Sequence, residues 1–251
     1  MANYKMLALD LDGTTLNEEG IVTDTTRYWI QKAVDSGVLV IFSTGRGMQT
    51  VIDLWNSLGL NGPMVLLNGA ELWTGREQLC ERHFLNPEEI RRLHRLALEA
   101  DAHFWGYSVE SLTNRKNWSE EMFERRWMKF GMHHPDVSVI SKLRELASEI
   151  DTIEISRSAA VNVEISPRGI TKESGVRTIC SRLGIDMREV MAIGDNMNDY
   201  RLIRAAGLGI AMGNANEALK AVADGQTDTN ARDGVAKAIQ RYIFDDDRSE
   251  W

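Results

Sequence analysis

Four short runs with no polar alternation constrain this chain more than anything else in it: Leu7–Leu9, Val38–Phe42, Met64–Leu67 and Val190–Ile193. A strand with one wet face would alternate, so these runs predict strands covered on both sides, as in a parallel sheet flanked by helices. Helical patterns separate the first three. One opens at Thr23 or Asp24 and ends before Gly37, and another runs to about Leu58. This βαβαβ alternation predicts an α/β fold with a doubly wound, mostly parallel sheet.

The rhythm changes near residue 84. Asn86 is placed to cap a helix with Pro87 at its first position, running to about Ala100. Ala102–Ser108 reads as a strand and Ser119–Phe130 as a helix carrying Trp127. Asp151–Ser156 and Val161–Ile165 read as antiparallel strands with one covered face. Residues 84–167 are therefore expected to form an inserted α+β domain, with 1–83 and 168–251 forming the main one. Trp105, Trp118 and Trp127 fall in the insert, either as core or, for one or two of them, on a substrate-facing surface. His103, His133 and His134 are expected on the surface or in packing. The α/β rhythm returns with a helix over Thr171–Leu183 and the run at Val190. Helix Asp199–Ala206, strand Leu208–Met212 and helices Glu217–Ala223 and Val235–Phe244 follow. Asp245-Asp246-Asp247 reads as a solvated acidic end.

Charge narrows the partners. Among 251 residues, 29 Lys and Arg face 37 Asp and Glu, a net charge of −8. That weighs against nucleic acid or an anionic membrane surface as the main partner. No apolar run approaches the roughly 20 residues that span a bilayer, and the N-terminal stretch lacks a signal-peptide pattern. A cytoplasmic location is expected. Cys80 and Cys180, far apart in apolar contexts, are expected to be buried free thiols.

The chemistry is expected where the strands end. Asp10 and Asp12 lie two apart, so in an extended chain both project from the same face. Two carboxylates this close repel unless a cation or a shared proton relieves them. Mg²⁺ suits that position because it takes oxygen ligands and leaves room for water and phosphate. Thr44 and Gly45, Asn68 and Gly69, and Asp195, Asn198 and Asp199 end other predicted strands on the same sheet edge. Lys172, opening a helix, can reach that edge. Carboxylates, a hydroxyl, backbone N–H groups and one fixed cation form the set that phosphoryl transfer requires, since its catalysis is mostly positioning and charge neutralisation.

Asp10-Leu11-Asp12-Gly13-Thr14, Ser43-Thr44-Gly45-Arg46, Lys172 and Gly194-Asp195-Asn196-Met197-Asn198-Asp199 resemble the four ordered motifs of the haloacid dehalogenase superfamily of phosphatases. Asn68-Gly69-Ala70 and Gly209–Ala215 resemble its Cof-type members, subfamily IIB. The resemblance implies a Rossmann-like core with a cap inserted between the second and third motifs, where residues 84–167 lie. It implies Asp10 as nucleophile and metal ligand. Asp12 would be general acid and base, its backbone carbonyl on the metal. Asp195 would complete the Mg²⁺ site, supported by Asp199. Thr44, the N–H groups of Leu11 and Gly45, Lys172 and Asn198 would hold the phosphoryl oxygens. Arg46 and Asn68 would lie near the rim, toward the rest of the substrate.

One residue departs from the family pattern. Glu173 follows the motif lysine where glycine is common, and it places a negative charge close to an anion site. The function expected is Mg²⁺-dependent hydrolysis of a phosphomonoester of a small soluble metabolite, such as a sugar phosphate, through an aspartyl-phosphate. The specificity-setting residues are sought near Trp105–Tyr107 and Trp118. A phosphosugar mutase on the same fold and a phosphate sensor without turnover are the alternatives.

Overall fold

The computed structural model describes residues 4–245, so Asp246 and Asp247 of the acidic tail lie outside the described residues. In chain order, β1 (Met6–Leu9), α1 (Asp24–Asp35), β2 (Leu39–Ser43), α2 (Met48–Ser57), β3 (Met64–Leu66), β4 (Glu71–Gly75) and β5 (Gln78–Arg82) come first. Then α3 (Pro87–Glu99), β6 (His103–Ser108), β7 (Leu112–Asn114), β8 (Trp127–His133), α4 (Val137–Ser148), β9 (Ile153–Ser156) and β10 (Asn162–Pro167) make a second unit. The chain returns through α5 (Lys172–Leu183), β11 (Val190–Gly194), α6 (Tyr200–Ala205), β12 (Leu208–Ala211), α7 (Glu217–Lys220), β13 (Gly225–Gln226) and α8 (Gly234–Phe244).

The first sheet has the order β13-β12-β11-β1-β2-β3-β4-β5. All pairs from β13 to β3 are parallel, and β4 and β5 close one edge as an antiparallel hairpin. Winding proceeds outward from β1 through β2 and β3, then restarts on the other side at β11. The topological switch therefore lies between β1 and β11, where open α/β sheets place their ligands. The parallel strands are buried almost throughout, as their unbroken apolar runs require.

Local signals set several helix ends. The Thr23 hydroxyl accepts from Thr26 N at 3.1 Å and starts α1. Asn86 and Glu89 form a reciprocal capping box at α3, with Pro87 at its first turn. A second sheet, β7-β6-β8-β10-β9, is antiparallel and has its own apolar cluster built from Leu93, Phe104, Trp127, Phe130, Ile140 and Val163, among others.

The structure corrects the helix expected over Ser119–Phe130. Only a short 3₁₀ turn, Glu120–Glu124, forms there, and Trp127–His133 is strand β8. β8 pairs with β6 on one side and β10 on the other. Central pairing and burial override the helix preference of the Glu-, Met- and Arg-containing sequence before it. The β4–β5 hairpin and α4, capped by the Asp136 carboxylate, add to the sequence reading. Cys180 is buried, but Cys80 on edge strand β5 is only half-buried, and both thiols are free. Among the described residues no helix is long and apolar enough to cross a membrane.

Candidate active site

Asp10 follows β1 directly and Asp195 follows β11, so the two strands at the switch point each deliver one carboxylate. Asp10 N donates to Ile193 O at 3.1 Å, which keeps the strand ends level. The turn after Asp10 must pass beside Asp195, and Gly13 permits it. Its φ is +75°, and a Cβ there would fall 2.4 Å from Asp195 Oδ2. Thr14 Oγ1 donates to Asp195 Oδ1 at 3.2 Å, and Thr15 Oγ1 to Asp10 O at 2.5 Å.

Lys172 reaches this edge from the first turn of α5 and is completely buried. Its Nζ lies 2.8 Å from Asp10 Oδ1 and 2.6 Å from Asp199 Oδ1. The close approach of α5 depends on Gly69, whose φ is +99° and whose added Cβ would lie 2.2 Å from Thr171 O. The other Asp199 oxygen accepts from the backbone of Asp195 and Asn196, at 3.2 Å each. Asp199 therefore braces both the lysine and the loop that carries Asp195.

Asp10, Asp195 and Asp199 offer carboxylate oxygens that all lie within 4.8 Å of one another. Three carboxylates against one ammonium leave two negative charges uncompensated in a largely buried site. Burial, then the neighbouring Asp199 carboxylate, pushes Asp10 well above the usual carboxylate range, with Lys172 pulling it back. The same two causes push Asp195 up to about 6. An all-oxygen donor set with this excess charge fits a hard divalent cation.

Asp12 faces outward. Its carboxylate sits in the fork of Arg46, with Nε at 2.9 Å and Nη2 at 2.5 Å. Thr44 is fully buried at the end of β2, where its Oγ1 accepts from Arg46 N at 3.2 Å. Leu11 is buried with it. Arg46 thus occupies the expected rim, but Asn68 does not. Asn68 is buried in a left-handed conformation (φ 56°, ψ 32°) and donates to Glu164 Oε2 at 2.8 Å. Asn198 Nδ2 donates to Asn68 Oδ1 at 3.3 Å, while Asn198 Oδ1 is buried without a partner. Glu173 turns along its own helix to Arg177, at 2.6 Å, so its charge is held by α5 and not presented to the site.

A cavity of about 210 Å³ opens over Asp10, Asp12, Arg46, Asp195 and Asn198 and is closed by Trp105, Tyr107, Lys129 and Glu164 of the second sheet and by Ser158 of the β9–β10 connection. Trp118 does not line it; half-buried, it stacks on Trp127 at 4.5 Å against the second core. A neighbouring cavity of about 310 Å³ touches Lys172 and Asn198 but neither Asp10 nor Asp195, so the reactive acids belong to the smaller one. Lys129 and Glu164 escaped the sequence reading. Their signal is a lone charged residue inside an otherwise apolar strand, Met128-Lys129-Phe130 and Val163-Glu164-Ile165. The helix assigned across residue 129 concealed it.

A family model described as haloacid dehalogenase-like hydrolase matches residues 7–138 and 120–239. A 5-amino-6-(5-phospho-D-ribitylamino)uracil phosphatase of Bacillus subtilis is 37% identical over 242 residues, covering 96% of this chain and 97% of that protein. A haloacid dehalogenase-like hydrolase from Bacteroides thetaiotaomicron superposes with a TM-score of 0.80 at 26% identity, over 95% of this chain and 99% of the other. A subclass IIB sugar phosphatase shares the fold at a TM-score of 0.85 and 22% identity, over 95% and 99% of the two chains. The strand-end acids, the buried lysine and these likenesses agree: the chain belongs to the haloacid dehalogenase-like hydrolases as a Cof-type phosphatase, a phosphoric monoester hydrolase.

Proposed function

We propose that the chain hydrolyses phosphomonoesters of small soluble metabolites in two steps, with Asp10 as nucleophile. The observation that carries this reading is the buried Asp10 carboxylate, held at 2.8 Å by Lys172 beside Asp195 and Asp199. In the first step an Asp10 oxygen bonds to phosphorus and the ester P–O bond breaks. Asp12 gives its proton to the departing oxygen. In the second step Asp12 takes a proton from water as the water oxygen bonds to phosphorus, and the aspartyl P–O bond breaks to release phosphate and restore Asp10. The hydroxyl of Thr44, the N–H groups of Leu11 and Gly45, Lys172 and Asn198 hold the phosphoryl oxygens in line with Asp10. Arg46 keeps the Asp12 carboxylate at the cavity mouth, where a leaving group emerges.

Mg²⁺ fits the oxygen donors of Asp10 and Asp195, with Asp199 in support and the Asp12 carbonyl as a further ligand. When bound it neutralises charge that builds on the transferred group. Residues 84–167 act as a cap that shields the reaction from bulk water. The substrate is a phosphorylated metabolite of sugar-phosphate type. The related ribitylaminouracil phosphatase makes a phosphorylated polyol bearing a heterocycle the first compound to assay.

The test is turnover of p-nitrophenyl phosphate and of a panel of phosphorylated metabolites. Asp10→Asn should abolish release of phosphate with the fold intact by circular dichroism; persisting turnover would remove Asp10 as nucleophile. EDTA should stop the reaction and Mg²⁺ restore it, and indifference to both would defeat the metal assignment.

A further inference from the structure

One buried ion pair is unused by the reaction above. Lys129 of β8 and Glu164 of β10 are both almost fully buried, with Nζ 2.9 Å from Oε2. Two charges so far from water are sustained only when their remaining hydrogen bonds are met. Two of those bonds cross to the first sheet. Lys129 Nζ donates to the Gly45 carbonyl at 2.9 Å, and Glu164 Oε2 accepts from Asn68. Ser158 donates to the other Glu164 oxygen at 3.1 Å.

The loop after β2 is shaped to receive this contact. A Cβ at Gly45 would lie 3.1 Å from Lys129 Nζ, and one at Gly47 would lie 2.7 Å from the Tyr107 ring. The second sheet therefore rests on bare backbone at two points of one loop. What it fixes there reaches the chemistry. The Gly45 carbonyl and the Arg46 N–H belong to one peptide plane. That N–H points at Thr44 Oγ1, and the Arg46 side chain holds Asp12. Asn68 is held in a left-handed conformation, and it is bonded from both sides, by Glu164 and Asn198.

We propose that Lys129 and Glu164 are positioning residues for phosphoryl transfer. Seated on the β2–α2 loop, they set the Gly45–Arg46 peptide and Asn68, so Thr44 and Asp12 are aligned only while the second sheet covers the site. The proposal rests on the phosphatase reading above.

The test is the paired variant Lys129→Met with Glu164→Leu, which removes both charges and leaves none buried alone. Rates are measured on p-nitrophenyl phosphate and on a larger sugar phosphate, alongside a thermal melt. Because the aligned groups act on the phosphoryl moiety common to both substrates, kcat should fall similarly for both. The drop should be on the order of 100-fold, the effect of misplacing a reacting group by about 1 Å, with KM little changed. Unaltered kcat in a folded variant would overturn the proposal. So would a loss confined to KM of the larger substrate, which would make the pair a leaving-group contact. If the double variant does not fold, Gly47→Ala tests the same seat by displacing Tyr107, and wild-type kcat in it would likewise overturn the proposal. Absence of turnover in the wild-type protein would instead defeat the phosphatase reading itself.

Discussion

Lys172 sets the charge balance of the acidic cluster. It is the sole ammonium within ion-pair distance of Asp10 and Asp199 among the described residues, and it is wholly buried. Removing a buried charge leaves its partners uncompensated, which costs about 3–5 kcal/mol. Lys172→Met should therefore lower stability by that amount in urea unfolding and abolish turnover in the fraction that folds. A variant with wild-type stability would show that Asp10 and Asp199 are relieved by another route. The residues flanking this lysine were legible in the sequence because each interrupts an apolar run at a strand end. Asp10, Thr44 and Asp195 stand out in that way. Lys129 and Glu164 do not, because each is a lone charge inside a strand and not at its end, and the helix expected over Ser119–Phe130 hid the first of them. The burial of Asn68 was hidden for a different reason: its cover comes from β10.

Among the elements, α5 depends on a neighbour for its placement. Its first turn presents Lys172 only because Gly69 lets the Thr171 carbonyl approach closely. Gly69→Ala would impose a left-handed alanine, worth about 1–2 kcal/mol, and a backbone clash that pushes the helix start away. The expected result is a lower melting temperature together with a kcat loss, although residue 69 contributes no side chain to the reaction. Normal kcat would mean that Lys172 reaches Asp10 without this packing. Strands and helices of the first sheet were readable from periodicity because parallel strands are apolar on both faces. The second sheet was less readable. β8 lies at its centre, and pairing on both edges made a strand of a segment whose composition before Trp127 favours a helix.

At the scale of the molecule, the chain leaves the first sheet once and returns once. Replacing residues 84–166 by a short linker should loosen substrate choice as well as lower turnover of p-nitrophenyl phosphate. The loss expected from freeing the β2–α2 loop applies to all substrates alike, so the ratio of rates between substrates is the quantity to compare. An unchanged ratio would refute the role of the second sheet in selection. The outgoing strand β5 ends at Arg82, and the N–H of the next residue, His83, donates to Ala70 O at 2.9 Å. The incoming segment reaches Thr171, packed on Gly69. Departure and return are thus tethered to adjacent residues of a single turn. An excursion suspended from one such pivot can swing but has little freedom to slide, and it can be exchanged for another of different size without disturbing the strands beneath. Diversity of substrates in a scaffold of this kind can accumulate above the pivot while Asp10 and Asp195 below it stay where they are.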